Sequence, residues 1–411
     1  MSGSPLPLIR TEQPTLVNDV AEIIRAAAAA GSPVYPLGGG SSLQYGLPVK
    51  EAGVGLSLAT WQQVVDFPAR DMTITVSAGM PFAKLAAELA KEGQQLPFDP
   101  PNSAIATVGG IVATNFNGPR KYGYGGIRDF VIGIEAVDGT ARIYHGGGRV
   151  VKNVAGYDFC KLLTGSLGTL GVITQLTFKV RPLSEKTALV AAGIRSESHL
   201  EQCLAALSQS ATTPAAVEVL RGDAWAEVPV VKAFGQPLTL LVRVEGTAVE
   251  VDWMMAQLQN ELNSAGCEQI ETNLPDDSLW QQVLEFPDDQ SAPLVVKAQV
   301  APSGVASFLA EVNAVEPTAS ILAHAGIGGV FVKFPQLPEK GLLHALVGRL
   351  HPAAKKHHGS VVVLSNPSGA EMTPQVCWSG APAGLFLMNQ IKKQFDPRNI
   401  LNRGRFVYVG L

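Results

Sequence analysis

Charge is scarce in this chain: Lys, Arg, Asp and Glu make up 16% of its 411 residues, and hydrophobic residues 46%, against a charged share of roughly a quarter in ordinary globular proteins. The surface is therefore either sparsely charged or partly covered by a partner. The net charge of -4, with no Lys/Arg stripe interleaved with aromatics, argues against nucleic acid. Four cysteines, at 160, 203, 267 and 377, lie far apart with no CxxC. That spacing disfavours zinc, iron–sulfur clusters and a secreted disulfide scaffold, and fits a reducing cytoplasm. No apolar run approaches the ~18 residues of a membrane span. The opening MSGSPLPLIRTEQ has neither the charged nor the apolar region of a signal peptide. The expected location is cytoplasmic, peripheral at most at the inner face of the cell membrane. Also missing are a Gly-Lys-Ser/Thr phosphate loop and a GxGxxG fingerprint, so the ligand is expected to be neither ATP nor NAD.

Glycine is abundant instead, with 42 residues. PLGGGSSL, residues 36–43, follows a short apolar run, and its backbone N–H groups could form an anion-binding nest with Ser41 and Ser42 as extra donors. A second glycine-rich stretch, residues 146–182, carries Gly156, Gly165, Gly168 and Gly171 between apolar runs. Such glycines allow backbone to approach a ligand closely, and a crowded turn uses them equally. Two loops of this kind point to a long, phosphate-bearing ligand.

Leu16, Val20, Ile23, Ile24 and Ala27 have helical spacing, stopped by Gly31 and Pro33 before a strand at 34–37. Alternation predicts a strand at 71–76, and Phe82, Leu85, Ala86 and Leu89 a helix ending at Gly93. Further strands are expected at 130–137, 141–144 and 171–180, with Asp138 and Gly139 as a hairpin turn. Beyond Pro182 the glycine density falls, and helices at 199–208 and 251–265 intermix with strands at 188–192, 238–244, 294–300, 330–334 and 361–364. That mixture reads as a separate α+β layer. No internal repeat is evident.

The ordered motifs DPPNSAIATVGGIVATNFNGPRKYGYGGIRDFVIG and VVKNVAGYDFCKLLTGSLGTLGVIT resemble the FAD-binding domain of the vanillyl-alcohol oxidase/PCMH-type flavoproteins. Within them, KNVAGYD is most similar to the GlcE-type FAD-binding subunits of bacterial glycolate oxidases. FDPRNILNRGRF, residues 395–406, resembles the ending shared by those subunits and by FAD-linked D-lactate and D-2-hydroxyglutarate dehydrogenases. The resemblance implies an α+β fold class. A PCMH-type two-subdomain FAD-binding domain (1–182) would be followed by an α+β cap domain (183–385) and a C-terminal segment (386–411) returning to the flavin. It implies that Gly38, Gly39, Gly40, Ser41, Ser42 and Leu43 hold the FAD pyrophosphate, helped by Thr107, Gly109, Gly110, Ala113, Thr114 and Asn115. Gly165, Gly168, Gly171, Val172 and Ile173 would line the adenosine and pyrophosphate side. Gly118, Tyr122, Arg128 and Asp129 would lie near the cofactor, and Asn402 would approach the flavin ring. Turns and a local Arg128–Asp129 ion pair are the plain alternatives.

Two departures from the resembled families matter. Ser41 stands where relatives with covalent flavin carry a His, and Thr107, Val108, Gly109 and Gly110 include no Cys, so FAD is expected to be held non-covalently. HAGIGGVF, residues 324–331, replaces the two-histidine HxGDGNxH segment of the dehydrogenases, leaving His324 alone. One histidine does not make a metal site, so no metal is expected, and the catalytic residues stay unassigned. The implied activity is oxidation of glycolate to glyoxylate in a hetero-oligomer with a catalytic flavoprotein subunit and an iron–sulfur subunit. A self-sufficient dehydrogenase of another small hydroxy acid, and a flavin-binding assembly subunit without turnover, remain the alternatives.

Overall fold

The computed structural model describes residues 6–148, 156–272, 274, 276–288 and 292–406. The first part of KNVAGYD, residues 152–155, lies outside them. The chain forms two compact units: Met1–Asn117, Gly126–Leu183 and Ala381–Leu411 in the first, Gly118–Gly125 and Ser184–Gly380 in the second. No helix among the described residues is long and apolar enough to cross a membrane.

In the first unit the expected N-terminal helix is Val17–Ala30, burying Val20, Ala21, Ile24 and Ala27 at three- and four-residue spacing. Its entry is fixed by Asp19, whose carboxylate accepts the N–H groups of Thr15 and Leu16, both at 2.9 Å. The helix connects the parallel strands Leu8–Glu12 and Val34–Leu37, between which Gly53–Ser57 pairs. An antiparallel sheet runs Val64–Asp66, Thr73–Ser77, Val172–Lys179, Val131–Val137, Ile143–Gly147. Phe98 anchors an aromatic cluster on it, with ring centroids 5.3 Å from Phe130, 6.1 Å from Phe178 and 6.2 Å from Phe82. At the expected hairpin turn Asp138 accepts the N–H of Thr140 at 2.9 Å and of Arg142 at 3.1 Å.

The end of the chain is tied into this unit by buried charge. Lys392, on the helix Leu385–Phe395, is 1% exposed, and its Nζ donates to Asp396 at 2.6 Å, Thr169 O at 2.9 Å and Leu401 O at 3.1 Å. Burial lowers the lysine's pKa and Asp396 opposes that. Asp396 also accepts the N–H groups of Ile400 (3.0 Å) and Leu401 (2.7 Å). Leu401 then bridges Val34 in parallel, extending the three-stranded sheet. Gly139 lies so close that a Cβ there would stand 2.5 Å from Asp396 Oδ1.

The second unit is built on an eight-stranded antiparallel sheet in the order Ile270–Glu271, Lys186–Ile194, Leu238–Gly246, Ala216–Arg221, Ser320–His324, Gly329–Phe334, Leu294–Gln299, Ser360–Ser365. It reveals a duplication that the sequence hides. Residues 186–271 and 294–365 each run strand, helix, two strands, helical segment, strand, with the same internal order, the split βαβ arrangement. The second strand of each half, Ala216–Arg221 and Ser320–His324, pairs antiparallel to join the halves. Both of those strands, and the helix Val305–Val315, escaped the reading by periodicity. They are short or apolar throughout, where strand and helix patterns are alike.

Replacing Lys392 by Met leaves Asp396 buried without its countercharge, at a cost of about 3–5 kcal/mol. A lower denaturation midpoint is expected for Lys392→Met in urea; an unchanged midpoint would remove the pair from its anchoring role.

Candidate functional site

A cavity in the first unit is walled by the loop after strand Val34–Leu37, by the helix Val108–Thr114 and by the turn before strand Val172–Lys179. It gathers Gly38, Gly39, Gly40, Ser41, Ser42, Leu43, Thr107, Gly109, Gly110, Ala113, Thr114, Gly168, Gly171, Val172, Ile173 and Asn402 from four separate stretches. The N–H groups of Gly39, Gly40, Ser41 and Ser42 have no acceptor among the described residues. A run of such amides is the chemistry of an anion nest. Gly39 is required by packing as well: its Cβ would fall 1.6 Å from the carbonyl oxygen of Ile105, so the two loops touch backbone to backbone. Thr107 caps Val108–Thr114 by accepting the Gly110 N–H at 3.4 Å. Asn402, with φ of 45°, donates its amide to Leu167 O at 2.5 Å and thereby holds one wall in place.

Arg405 also lines this cavity, 6% exposed, with its guanidinium donating to Leu43 O. The sequence reading passed over it because only tertiary structure carries residue 405 to the loop at 43; its place in the C-terminal motif was the available signal.

Other expected residues stand elsewhere. Asn115 ends the helix Val108–Thr114 in the left-handed region and accepts Asn117 Nδ2 at 2.9 Å, and Gly165 packs beside it. Asp129 accepts the Gly126 N–H at 3.0 Å, closing a turn, and Arg128 is exposed. Gly118 and Tyr122 belong to the second unit, where the Tyr122 ring lies over Gly326.

The second unit presents its own polar row. Glu218 and His324 are opposed across the junction of the two half-sheets, 1% and 2% exposed, with Glu218 Oε2 2.5 Å from His324 Nδ1. A carboxylate at Nδ1 takes that nitrogen's proton in hydrogen bond, leaving Nε2 as the basic nitrogen. His324 meets the Phe331 ring edge-on at 5.1 Å, and Lys297, paired with Phe331 in register, places its Nζ 5.3 Å from the same ring. Burial, with Lys121 nearby, lowers Lys297 to about 8. Lys333, 8% exposed, lies 4.1 Å from the Phe286 ring. Farther along, buried Glu245 accepts from Arg243 at 2.7 Å and Tyr124 at 2.7 Å, with Arg120 at 3.6 Å. Burial alone would raise Glu245, and these partners more than offset it. Tyr124 is pushed up to about 12 by burial and by Glu245. Glu218, Lys297 and Lys333 have no sequence signal beyond a charge inside an apolar strand.

Comparison with known proteins decides the family. Residues 183–406 match the C-terminal domain of FAD linked oxidases, and residues 10–147 match an FAD binding domain. The chain belongs to the FAD-linked oxidases. Its sequence is 24% identical to glycolate oxidase subunit GlcD of Bacillus subtilis (strain 168), over 95% of this chain and 87% of that one. Against glycolate oxidase subunit GlcE of Escherichia coli (strain K12) identity is 33%, over 46% of this chain and 52% of that one. A D-lactate dehydrogenase of Archaeoglobus fulgidus is 28% identical over 96% and 90% of the two chains. Among solved structures, p-cresol methylhydroxylase with substrate bound matches 97% of this chain and 88% of its own, with a TM-score of 0.75 at 17% identity. The fold is thus the PCMH-type flavoprotein fold, and this FAD-linked oxidoreductase uses FAD. The first unit's cavity fits such a group: open amides and a guanidinium suit a diphosphate, and Leu58, Ala78, Val172 and Ile173 supply apolar wall.

For Gly39→Ala the methyl group has no room against Ile105 O. Both flavin content and thermal midpoint should fall, while a fully loaded variant of unchanged stability would contradict the loop contact.

Proposed function

We propose that this FAD-linked oxidoreductase oxidises a small 2-hydroxy acid, glycolate, to the 2-oxo acid glyoxylate, as the flavin-binding subunit of a larger assembly. The observation that carries the reading is the row on the second unit's sheet, with Lys297, Phe331 and the Glu218–His324 pair side by side. A cation suited to a carboxylate next to a base suited to a hydroxyl is what this reaction requires. Relatives named as glycolate oxidase subunits and D-lactate dehydrogenase support the same substrate class.

In this reading Gly39, Gly40, Ser41 and Ser42 hold the FAD pyrophosphate through their amides, and Arg405 balances its charge. Gly109, Gly110, Ala113, Thr114, Gly168, Val172 and Ile173 form the walls, and Asn402 fixes the C-terminal side. Bound FAD supplies the acceptor for the hydride that leaves the substrate carbon. Lys297 pairs with the substrate carboxylate. His324 takes the hydroxyl proton at Nε2, and Glu218 holds the ring in that tautomer and balances the positive charge the ring gains.

The relatives named as glycolate oxidase subunits support a multi-subunit assembly; in this reading its other members are a catalytic flavoprotein subunit and an iron–sulfur subunit that carries the electrons onward. The Lys297 and His324 row favours a second reading, in which the chain turns over its acid unaided. Assaying isolated chain and co-expressed complex side by side, with glycolate and an artificial electron acceptor, separates them. Turnover per flavin should be far higher in the complex; equal turnover would establish the self-sufficient enzyme.

Non-covalent attachment is expected, since Ser41 stands in the loop and no cysteine lines the cavity among the described residues. Acid precipitation should leave yellow supernatant over a colourless pellet, and flavin in the pellet would refute it.

Lys297 near pH 8 gives a signed pH dependence. Below that pH the ammonium is charged and the carboxylate binds, so KM for glycolate should rise about tenfold per pH unit above it. Lys297→Arg should keep KM flat to pH 10 or so, whereas a wild-type KM indifferent to pH would remove Lys297 from substrate binding.

A further inference from the structure

The second unit also contains a cluster that the proposed chemistry leaves unused. Cys203 lies on the helix Glu197–Ser208 and Cys267 just beyond the helix Ala248–Ser264, with their sulfurs 3.4 Å apart. One turn before Cys203, His199 sets its Nε2 3.8 Å from Cys267 Sγ, and its Nδ1 accepts the Arg195 N–H at 3.3 Å. A ring nitrogen that accepts carries no proton, so the neutral imidazole keeps its proton on Nε2, directed at the Cys267 sulfur. Arg195 spans the same edge, donating to Gly266 O at 3.5 Å and to Glu268 at 3.1 Å. The thiols are 0% and 2% exposed, but Ala265 and Gly266 above them are half-buried and Glu268 is exposed.

The same three side chains bring metal-capable atoms within 4.8 Å of one another. A proton on Nε2, a nearby guanidinium and the lack of a fourth ligand among the described residues all work against a metal ion.

We propose that Cys203 and Cys267 are a peroxide-responsive thiol pair that closes reversibly to a disulfide, with Cys267 attacking and Cys203 resolving. Cys267 is the better nucleophile: its sulfur is the one that faces His199 Nε2, and the contact with Cys203 and the nearby Arg195 hold it below the ordinary thiol range against burial. Cys203 is pushed up by the same contact and by burial. In the first step the Cys267 thiolate attacks a peroxide oxygen and the O–O bond breaks. The departing hydroxide takes up the proton that the Cys267 thiol had released and leaves as water, and Cys267 becomes a sulfenic acid. Next the Cys203 sulfur attacks the Cys267 sulfur, the S–O bond breaks, and the departing hydroxide takes the Cys203 proton and leaves as a second water. Two thiols are oxidised to one disulfide and one hydrogen peroxide is reduced to two waters. The sulfurs need to close by about 1.4 Å to reach bonding distance. The new bond would link positions 64 residues apart, and so tie the helix Glu197–Ser208 to the turn that follows Ala248–Ser264.

The test treats the flavin-loaded full chain with hydrogen peroxide, blocks remaining thiols under denaturing conditions, and maps peptides by mass spectrometry. Two of the four thiols should disappear, the Cys203 and Cys267 peptides should be joined, and dithiothreitol should restore both. Oxidised protein should also melt several degrees higher. Cys160, which donates to Gly146 O and is raised by burial to about 11, serves as the internal control. Cys160→Ser should still cross-link, and Cys267→Ser should not. Four intact thiols, or sulfinic acids without a joined peptide, would overturn the proposal. So would one equivalent of tightly held zinc in reduced wild-type protein that Cys267→Ser loses.

Discussion

The buried contact between Lys392 and Asp396 is the constraint on which the first unit's cavity depends. All three protons of the ammonium are used, on Asp396, Thr169 O and Leu401 O, and both oxygens of the carboxylate accept backbone N–H groups. So complete a set of partners is what makes a buried charge pair tolerable. It forces residues 396–402 into a tight course, with Asn399 at φ 48° and Asn402 at φ 45°, a region asparagine enters more readily than most residues. That course carries Asn402 and Arg405 to the cavity wall and Leu401 to the edge of Val34. The FDPRN part of the C-terminal motif is therefore an anchoring device, and the polar residues just after it are the ones that reach the ligand site.

The two units use polarity in different ways. In the first, the proposed recognition rests mainly on backbone: open amides in a glycine loop, with Arg405 beside them, hold their geometry because Gly39 is packed on Ile105. The second instead places ionisable side chains inside a sheet, Glu218, His324, Lys297 and Lys333, each set against a partner or an aromatic ring. Part of the chain's limited charge, Glu218, Lys333, Lys392 and Asp396 among it, is thus buried inside the protein.

The Glu218–His324 pair exists because two half-sheets meet. Neither half contains it; the antiparallel pairing of Ala216–Arg221 with Ser320–His324 brings residues 106 positions apart to hydrogen-bonding distance. Such sites are invisible to motif spacing. A buried charge needs its partner in space, and the partner's position in the chain is free to vary.

By itself the sequence determined what local physics controls. Helical periodicity predicted the helices found at Val17–Ala30, Glu197–Ser208 and Ala248–Ser264; alternation predicted the strand found at Thr73–Ser77; and the resemblance of the motifs in residues 99–182 and of FDPRNILNRGRF pointed to an FAD-binding flavoprotein. Each of these rests on residues within about one element of one another. Tertiary structure alone decided the rest. It paired Glu218 with His324, set Lys297 beside Phe331, carried Arg405 to the loop at Leu43, placed Tyr122 over Gly326, and brought Cys203 against Cys267. In every case the partners are far apart in the chain, and only the packing of sheets and helices sets the distance over which their chemistry acts.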